Sequence, residues 1–160
     1  MGLRYPDQKN HSCFFITTSY INHSAFGHIP GFNEEIINSL IYYSDKYRGK
    51  ISGYVLMPSH IHLLLFIDGN KLAGFMRDFK KYIAQKVGKR FDIRTPNIWQ
   101  RGYDRVAIGS ERIFRIKLTY IHNNPVKAKL AKSPETYIWS SAKDYYTKKK
   151  SVLDVWKEWK

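Results

Sequence analysis

The chain has 160 residues, of which 43% are hydrophobic and 16% aromatic. This length and composition suit one domain with a packed core and argue against a disordered chain. No apolar run reaches the roughly 18 residues of a membrane span, and the first residues match neither a signal peptide nor a myristoylation site. The single cysteine, Cys13, excludes an intrachain disulfide and is expected to be a buried, inert thiol. We therefore expect a cytoplasmic protein that does not enter membranes.

The positive charge lies in one half of the chain. Residues 1–70 carry five basic and five acidic side chains, whereas residues 71–160 carry 22 basic and eight acidic ones and thus the whole net charge of +14. This asymmetry favours a polyanionic partner such as nucleic acid. The alternative is a lysine-rich surface that only keeps the protein soluble.

Hydrophobic periodicity predicts alternating strands and helices. A strand is expected at 13–20, then a helix over 33–47 capped by Asn33, and then two strands, 50–57 and 60–67, joined by a tight hairpin at Pro58-Ser59. Further on, the patterns predict an amphipathic helix over 72–87, a strand over 97–108, and a helix that Ser110 caps and Pro125 stops.

This order, βαββαβ plus a further helix, predicts an α+β fold of the ferredoxin-like, split βαβ type. Its antiparallel sheet is expected to carry helices on one face and the paired histidines on a central strand. Because this fold serves many functions, the fold alone assigns none.

Two histidines lie one residue apart in the apolar segment GYVLMPSHIHLLLF, which begins at Gly53. Side chains alternate along a strand, so His60 and His62 are expected on one face with Cβ atoms about 7 Å apart. Two neutral imidazoles so placed can bind one divalent cation and leave positions for other ligands. The alternative is a pair of core histidines, each of which needs a hydrogen-bond partner.

Two tyrosines on predicted helices are candidate nucleophiles, because the chain shows no acidic cluster of the two-metal nuclease type. Tyr120 is followed four residues later by Asn124, which places a phenol and an amide on one helix face, although Pro125 disfavours helical conformation at Asn124. Tyr82, followed four residues later by Lys86, is the competitor. For either ring the alternative is a tyrosine that covers the rim of the core.

At these residues the chain resembles the REP-associated tyrosine transposases, which are IS200-like, single-tyrosine HUH transposases. The resemblance spans roughly residues 11–146 and rests on five segments in the family's order and spacing: YVLMPSHIHLLL, FMRDFKKYIAQKV, IWQRGYDRVAI, LTYIHNNPVKAKL and YIWSSAKDYY. We therefore treat 1–146 as a single HUH transposase-like domain and 147–160 as a basic and aromatic C-terminal tail that matches no family segment.

The resemblance implies a bacterial enzyme of the cytosol or nucleoid that cleaves and rejoins single-stranded DNA through a 5′-phosphotyrosine intermediate. It implies Mg²⁺ or Mn²⁺ held by His60, His62 and Asn124, with Tyr120 as the nucleophile and Tyr82 outside the catalytic motif. The partner it implies is a DNA hairpin formed by an imperfect palindrome, bound by a monomer or a homodimer. His122 is expected to point away from Tyr120 and to be structural or to face DNA.

Cations and aromatic rings alternate between the second helix and the strand that follows. This combination is typical of single-strand binding, in which cations contact phosphates and rings stack on bases. The predicted DNA-binding residues are Lys80, Lys81, Lys86, Trp99, Arg101, Tyr103 and Arg105. Burial in the core is the alternative for Trp99 and Tyr103.

Three other functions remain open from the sequence. A non-catalytic RNA- or DNA-binding module has the same element order but would not explain His60 and His62. A domesticated, transposase-derived regulator would keep all the motifs. A metal-dependent phosphoesterase for small molecules would not need the basic half of the chain.

Overall fold

The computed structural model describes residues 8–94 and 97–159. Its strands are β1 (Cys13–Ser19), β2 (Lys50–Leu56), β3 (His60–Phe66) and β4 (Asp104–Ala107). Its α-helices are α1 (Phe32–Lys46), α2 (Gly69–Tyr82), the single turn α3 (Gly88–Arg90), α4 (Glu111–Lys127) and α5 (Ala142–Tyr146), and a π-helical turn, Ile83–Val87, joins α2 to α3. No helix in the described part of the chain is long and apolar enough to cross a membrane.

The strands pair in the order β2-β3-β1-β4, and every pairing between neighbours is antiparallel. This is the predicted ferredoxin-like arrangement, with the histidine strand β3 in a central position. The predicted hairpin is also confirmed, since the Met57 amide donates to the His60 carbonyl oxygen at 2.8 Å across Pro58-Ser59.

The sheet is covered on both faces, so the expectation of helices on one face was incomplete. Alternate side chains of β1 and β3, among them Ile61 and Leu63, pack with α1 and α2 in the larger core. The intervening side chains, among them Phe15 and Leu64, pack with Phe114, Leu118 and Ile121 of α4 in a second core. The added helix therefore lies on the histidine face of the sheet.

Two predicted helix boundaries were wrong. The N-cap of α1 is Gly31 at φ 86°, a left-handed conformation that favours glycine, while Asn33 lies inside the helix and donates to the Gly27 carbonyl. Pro125 does not stop α4, which runs to Lys127. Proline there removes one amide donor, and the next turn still closes through the Ala128 amide and the Asn124 carbonyl at 3.0 Å.

The strand predicted over 97–108 was too long, because only 104–107 form β4. Before it, Trp99 makes an isolated bridge to Tyr20, and Gly102 takes a left-handed φ of 75° that breaks the strand. Residues 95 and 96, which precede this segment, lie outside the described residues.

The C-terminal tail packs on the domain as far as Trp159. The Trp156 amide donates to the Ile51 carbonyl at 2.8 Å on the outer edge of β2, and Leu153 is buried. The Trp159 ring contacts Phe66 and Phe114, with centroids 5.5 Å away in each case. The tail thus joins the sheet edge to the N-terminal part of α4.

Candidate active site

His60 and His62 lie side by side on the α4 face of β3, as the strand alternation predicted. Their ring centroids are 4.8 Å apart. His62 is 4% exposed and His60 is half-buried. Burial lowers the pKa of both, and that of His62 falls to about 3 with smaller contributions from the charges of His60 and Lys117. Both rings are therefore neutral at pH 7, the form in which imidazole binds a metal.

One ring nitrogen of each histidine has a hydroxyl partner. His62 Nδ1 lies 2.8 Å from Thr17 Oγ1, and His60 Nδ1 lies 3.1 Å from Ser59 Oγ. The first hydrogen bond suits the tautomer in which Nδ1–H donates to the Thr17 hydroxyl and Nε2 keeps its lone pair. His62 Nε2 is buried, and no described residue hydrogen-bonds to it. A buried nitrogen without a partner is costly in a core and is the atom a metal would use.

Tyr120 reaches the same place from α4. Its ring centroid lies 5.5 Å from that of His62 and 5.9 Å from that of Phe15, edge-on to both. Phe15 stacks on His62 with centroids 5.4 Å apart, so one phenylalanine supports both rings. Tyr120 is 45% exposed, so the site opens to solvent. A phenol beside paired neutral imidazoles can attack an electrophile that those imidazoles help to hold.

Close packing on β2 fixes the position of α4. Gly53 has no side chain, and a Cβ atom there would lie only 2.7 Å from Leu118 Cδ1, so α4 approaches the strand closely. His122 is fully buried, and its Nε2 lies 2.8 Å from Ser141 Oγ. Ser141 Oγ in turn accepts from the Tyr54 amide at 3.0 Å. His122, two residues after Tyr120, thus fastens the helix to β2 and has a structural role.

Because His122 is buried and neutral, we expect it to make folding sensitive to acid. Burial lowers its pKa from 6.5 to about 4. Between these pH values the unfolded chain binds more protons than the folded one, so stability is lost as the pH falls from about 6.5 to 4. The loss from this group is at most about 3 kcal/mol.

Urea unfolding at pH 7, 5.5 and 4 tests this on wild type and His122→Gln, which keeps a polar partner for Ser141 but does not titrate. The variant should lose about 3 kcal/mol less stability than wild type over this range. Parallel stability curves would show that His122 does not titrate as described.

Asn124 lies one turn after Tyr120 and is half-buried, and α4 continues through it as helix. The helix geometry therefore keeps the i, i+4 relation that Pro125 had made uncertain. Among residues 8–94 and 97–159, no group of three or more histidine, cysteine or acidic side chains is placed to hold a metal ion. A metal on the two histidines would therefore need ligands of another kind, such as the amide oxygen of Asn124 on the helix that carries Tyr120.

The predicted DNA-binding residues fall into two groups. Trp99 is 3% exposed, donates from Nε1 to the Lys80 carbonyl at 2.9 Å and packs on Tyr20 and Phe79, so it belongs to the core and cannot stack on a base. Lys80 Nζ donates to the Gly102 carbonyl at 2.5 Å and holds this loop on α2, while burial lowers its pKa to about 8. These two residues stabilise the structure.

The other members of the set are more accessible. Lys81, Lys86 and Arg101 are exposed. Tyr103 is half-buried, with the Arg105 guanidinium 5.4 Å from its ring centre. Arg105 pairs with Ile16, which places it on the α1–α2 face of the sheet rather than on the Tyr120 face. These cations therefore lie on α2, on the π-helical turn after it and on the segment that leads into β4, outside the histidine–tyrosine site.

Sequence reasoning missed Thr17 and Phe15. Thr17 pairs with His62 and Phe15 with Leu64 across β1 and β3, so both depend on strand register. The alternation in CFFITTS indicated that they share a face, but only the register shows that this face carries the histidines. Cys13, by contrast, is buried as predicted, and burial raises its pKa to about 12.

The described residues form a basic, ferredoxin-like domain that places two neutral imidazoles beside a phenol. The chain belongs to the family described as "Transposase IS200 like", whose model matches residues 11–124. This confirms the resemblance stated above and makes the protein a member of a family of DNA-cleaving enzymes that act in DNA transposition.

Solved structures with a similar fold come from the same class. A REP-associated tyrosine transposase bound to a REP hairpin aligns with a TM-score of 0.72 at 20% identity, over 94% of this chain and 92% of that one. A putative transposase from Deinococcus radiodurans aligns with a TM-score of 0.53 at 17% identity, over 77% of this chain and 95% of that one. No curated protein matches the sequence significantly.

Proposed function

We propose that the protein cleaves and rejoins single-stranded DNA at hairpin-forming palindromes, with Tyr120 as the nucleophile and Mg²⁺ or Mn²⁺ at His60 and His62. The observation that carries the proposal is the meeting of His62 and Tyr120, whose ring centroids lie 5.5 Å apart although they come from β3 and α4. His62 Nε2 lacks a described partner at a place where the partly exposed Tyr120 opens the site to solvent.

The proposed metal ligands are His60 and His62, with Asn124 as the third. The fit rests on His62 Nε2, a buried atom that lacks a described partner, and on Thr17, which orients the ring from its other side. When bound, the cation polarises the scissile phosphate as a Lewis acid and offsets charge on its oxygens.

The protein's own contribution is a positioned nucleophile. Phe15 supports the rings of both Tyr120 and His62, which keeps the phenol beside the proposed phosphate position. The phenolic oxygen forms a bond to phosphorus, the bond from phosphorus to the 3′ oxygen breaks, and the phenol's proton passes to solvent while the 3′ oxygen takes one up. The phosphotyrosine bond retains the energy of the phosphodiester, so a 3′ hydroxyl can reverse the step and rejoin DNA without a nucleotide cofactor.

The proposed partner is a DNA hairpin. Support comes from the fold, which is similar to a transposase bound to a REP hairpin, and from the net charge of +14. The exposed cations Lys81, Lys86 and Arg101 suit contacts to phosphates of a hairpin that extends beyond the site. Half-buried Tyr103, flanked by Arg105, is the remaining aromatic candidate for base stacking.

Thr17 provides a test of the metal site that does not need DNA. Replacement by valine keeps the shape but removes the hydroxyl that orients His62, so Mn²⁺ affinity should fall by about 10–100-fold, the usual effect of losing such a partner. Titration of free Mn²⁺ by electron paramagnetic resonance measures this, and Thr17→Ser, which keeps the hydroxyl, is the matched control. Equal affinity in wild type and Thr17→Val would contradict the proposed ligand geometry.

The activity itself is tested by mixing the protein with a pool of hairpin-containing single-stranded DNAs, with Mn²⁺, with Mg²⁺ or with a chelator. We expect a covalent protein–DNA adduct on a denaturing gel that requires the metal. Metal and hairpin binding without any adduct would favour a non-catalytic binding module. Metal binding without DNA binding would favour a small-molecule phosphoesterase.

A further inference from the structure

Lys117 is a further cation beside the histidine–tyrosine site. It lies on α4 three residues before Tyr120, so the two side chains are neighbours on one side of the helix. Its Nζ lies 4.9 Å from the centre of the Phe15 ring. Phe15 is also the ring on which His62 stacks and which Tyr120 contacts edge-on. Lys117, Tyr120 and His62 therefore converge on one side chain.

The charge of Lys117 acts on the histidine site. Its positive charge repels a divalent cation at His60 and His62, so the position of Lys117 costs metal affinity unless an anion lies between the two. A DNA phosphate held beside His62 and Tyr120 is such an anion.

Lys117 is half-buried, and no carboxylate in the described part of the chain forms an ion pair with it. The arginine two residues earlier differs in this respect, since Arg115 Nη2 lies 2.6 Å from Glu111 Oε1 on the exposed side of α4. The Lys117 ammonium itself lies over the Phe15 ring and is available for an external anion.

We propose that Lys117 is a further catalytic residue, whose ammonium contacts a non-bridging oxygen of the scissile phosphate from the α4 side. This inference rests on the proposed function. As the Tyr120 oxygen bonds to phosphorus and the bond to the 3′ oxygen breaks, negative charge grows on the non-bridging oxygens. The ammonium stabilises that charge without transferring a proton, and the proton of the phenol and that of the 3′ hydroxyl are exchanged with water.

The test compares Lys117→Met and Lys117→Arg with Arg115→Met, which removes one charge from the same helix away from Phe15. The first measurement is the single-turnover rate of adduct formation at saturating Mn²⁺ with the hairpin-containing DNA pool. For Lys117→Met it should fall about 10²–10³-fold, as when one donor to a developing oxyanion is lost. Lys117→Arg should recover part of the rate, and Arg115→Met should stay near wild type.

The second measurement is Mn²⁺ affinity without DNA, which separates a chemical role from a structural one. Because the repelling charge is gone, Lys117→Met should bind Mn²⁺ as tightly as wild type or more tightly, although its cleavage is slow. A Lys117→Met rate equal to that of Arg115→Met would overturn the inference, and so would a parallel loss of Mn²⁺ affinity and rate. If wild type itself forms no adduct, the proposed function fails and this inference fails with it.

Discussion

Replacing Tyr120 with phenylalanine should abolish the covalent protein–DNA adduct while leaving the fold and hairpin binding intact. The change removes one oxygen and keeps the ring that contacts Phe15 and His62. Because the reaction has no second route without its nucleophile, the expected loss is beyond about 10⁴-fold, the order seen when a catalytic nucleophile is removed. Denaturing gels measure the adduct, and a fluorescence titration with hairpin DNA measures binding.

Tyr82→Phe is the matched control for this experiment. Tyr82 is also a partly exposed helix tyrosine, 39% accessible, but it lies beside Tyr43 of α1 on the opposite face of the sheet from the histidines. It should form the adduct at the wild-type rate. An adduct that persists in Tyr120→Phe and disappears in Tyr82→Phe would place the nucleophile on α2 and contradict its assignment to α4.

Replacing either histidine of the pair with alanine should remove metal binding and adduct formation together. Loss of a partner behind a metal ligand already weakens binding by about 10–100-fold, so loss of the ligand itself should exceed about 100-fold. His62 is buried, and His62→Ala also leaves a cavity beside Phe15. His60 is half-buried, so His60→Ala tests the same claim with less risk to folding.

The exposed His28 provides the control, because His28→Ala removes an imidazole from outside the site. Mn²⁺ binding by electron paramagnetic resonance should be lost in both site variants and kept in His28→Ala, with circular dichroism as a check on folding. Wild-type Mn²⁺ affinity in a folded His60→Ala protein would mean that the pair does not bind the metal.

Much of the fold follows from local patterns. Two-residue alternation placed His60 and His62 on one face of a strand, and the pattern that follows Ser110 predicted α4. These predictions held because each depends on a single element and its own periodicity. The choice of Tyr120 over Tyr82 did not come from periodicity, since both lie on predicted helices, but from the family resemblance.

Other features depended on contacts between distant segments. Trp99 alternates with charged residues as a surface strand residue would, yet it is 3% exposed because the 97–103 loop folds back onto α2. Thr17 and Phe15 became part of the site through the register of β1 on β3. Helix α4 lies on the second face of the sheet because Gly53 leaves room for Leu118. Periodicity within one segment carries no information about such pairings.

Peptide mapping of the adduct tests most directly whether a covalent bond forms between Tyr120 and DNA. The adduct formed with Mn²⁺ and the hairpin pool would be trimmed with nuclease, digested with protease and sequenced by tandem mass spectrometry. We expect a nucleotide attached through phosphate to Tyr120, within the α4 peptide. A nucleotide on Tyr82 or on any other side chain would contradict it.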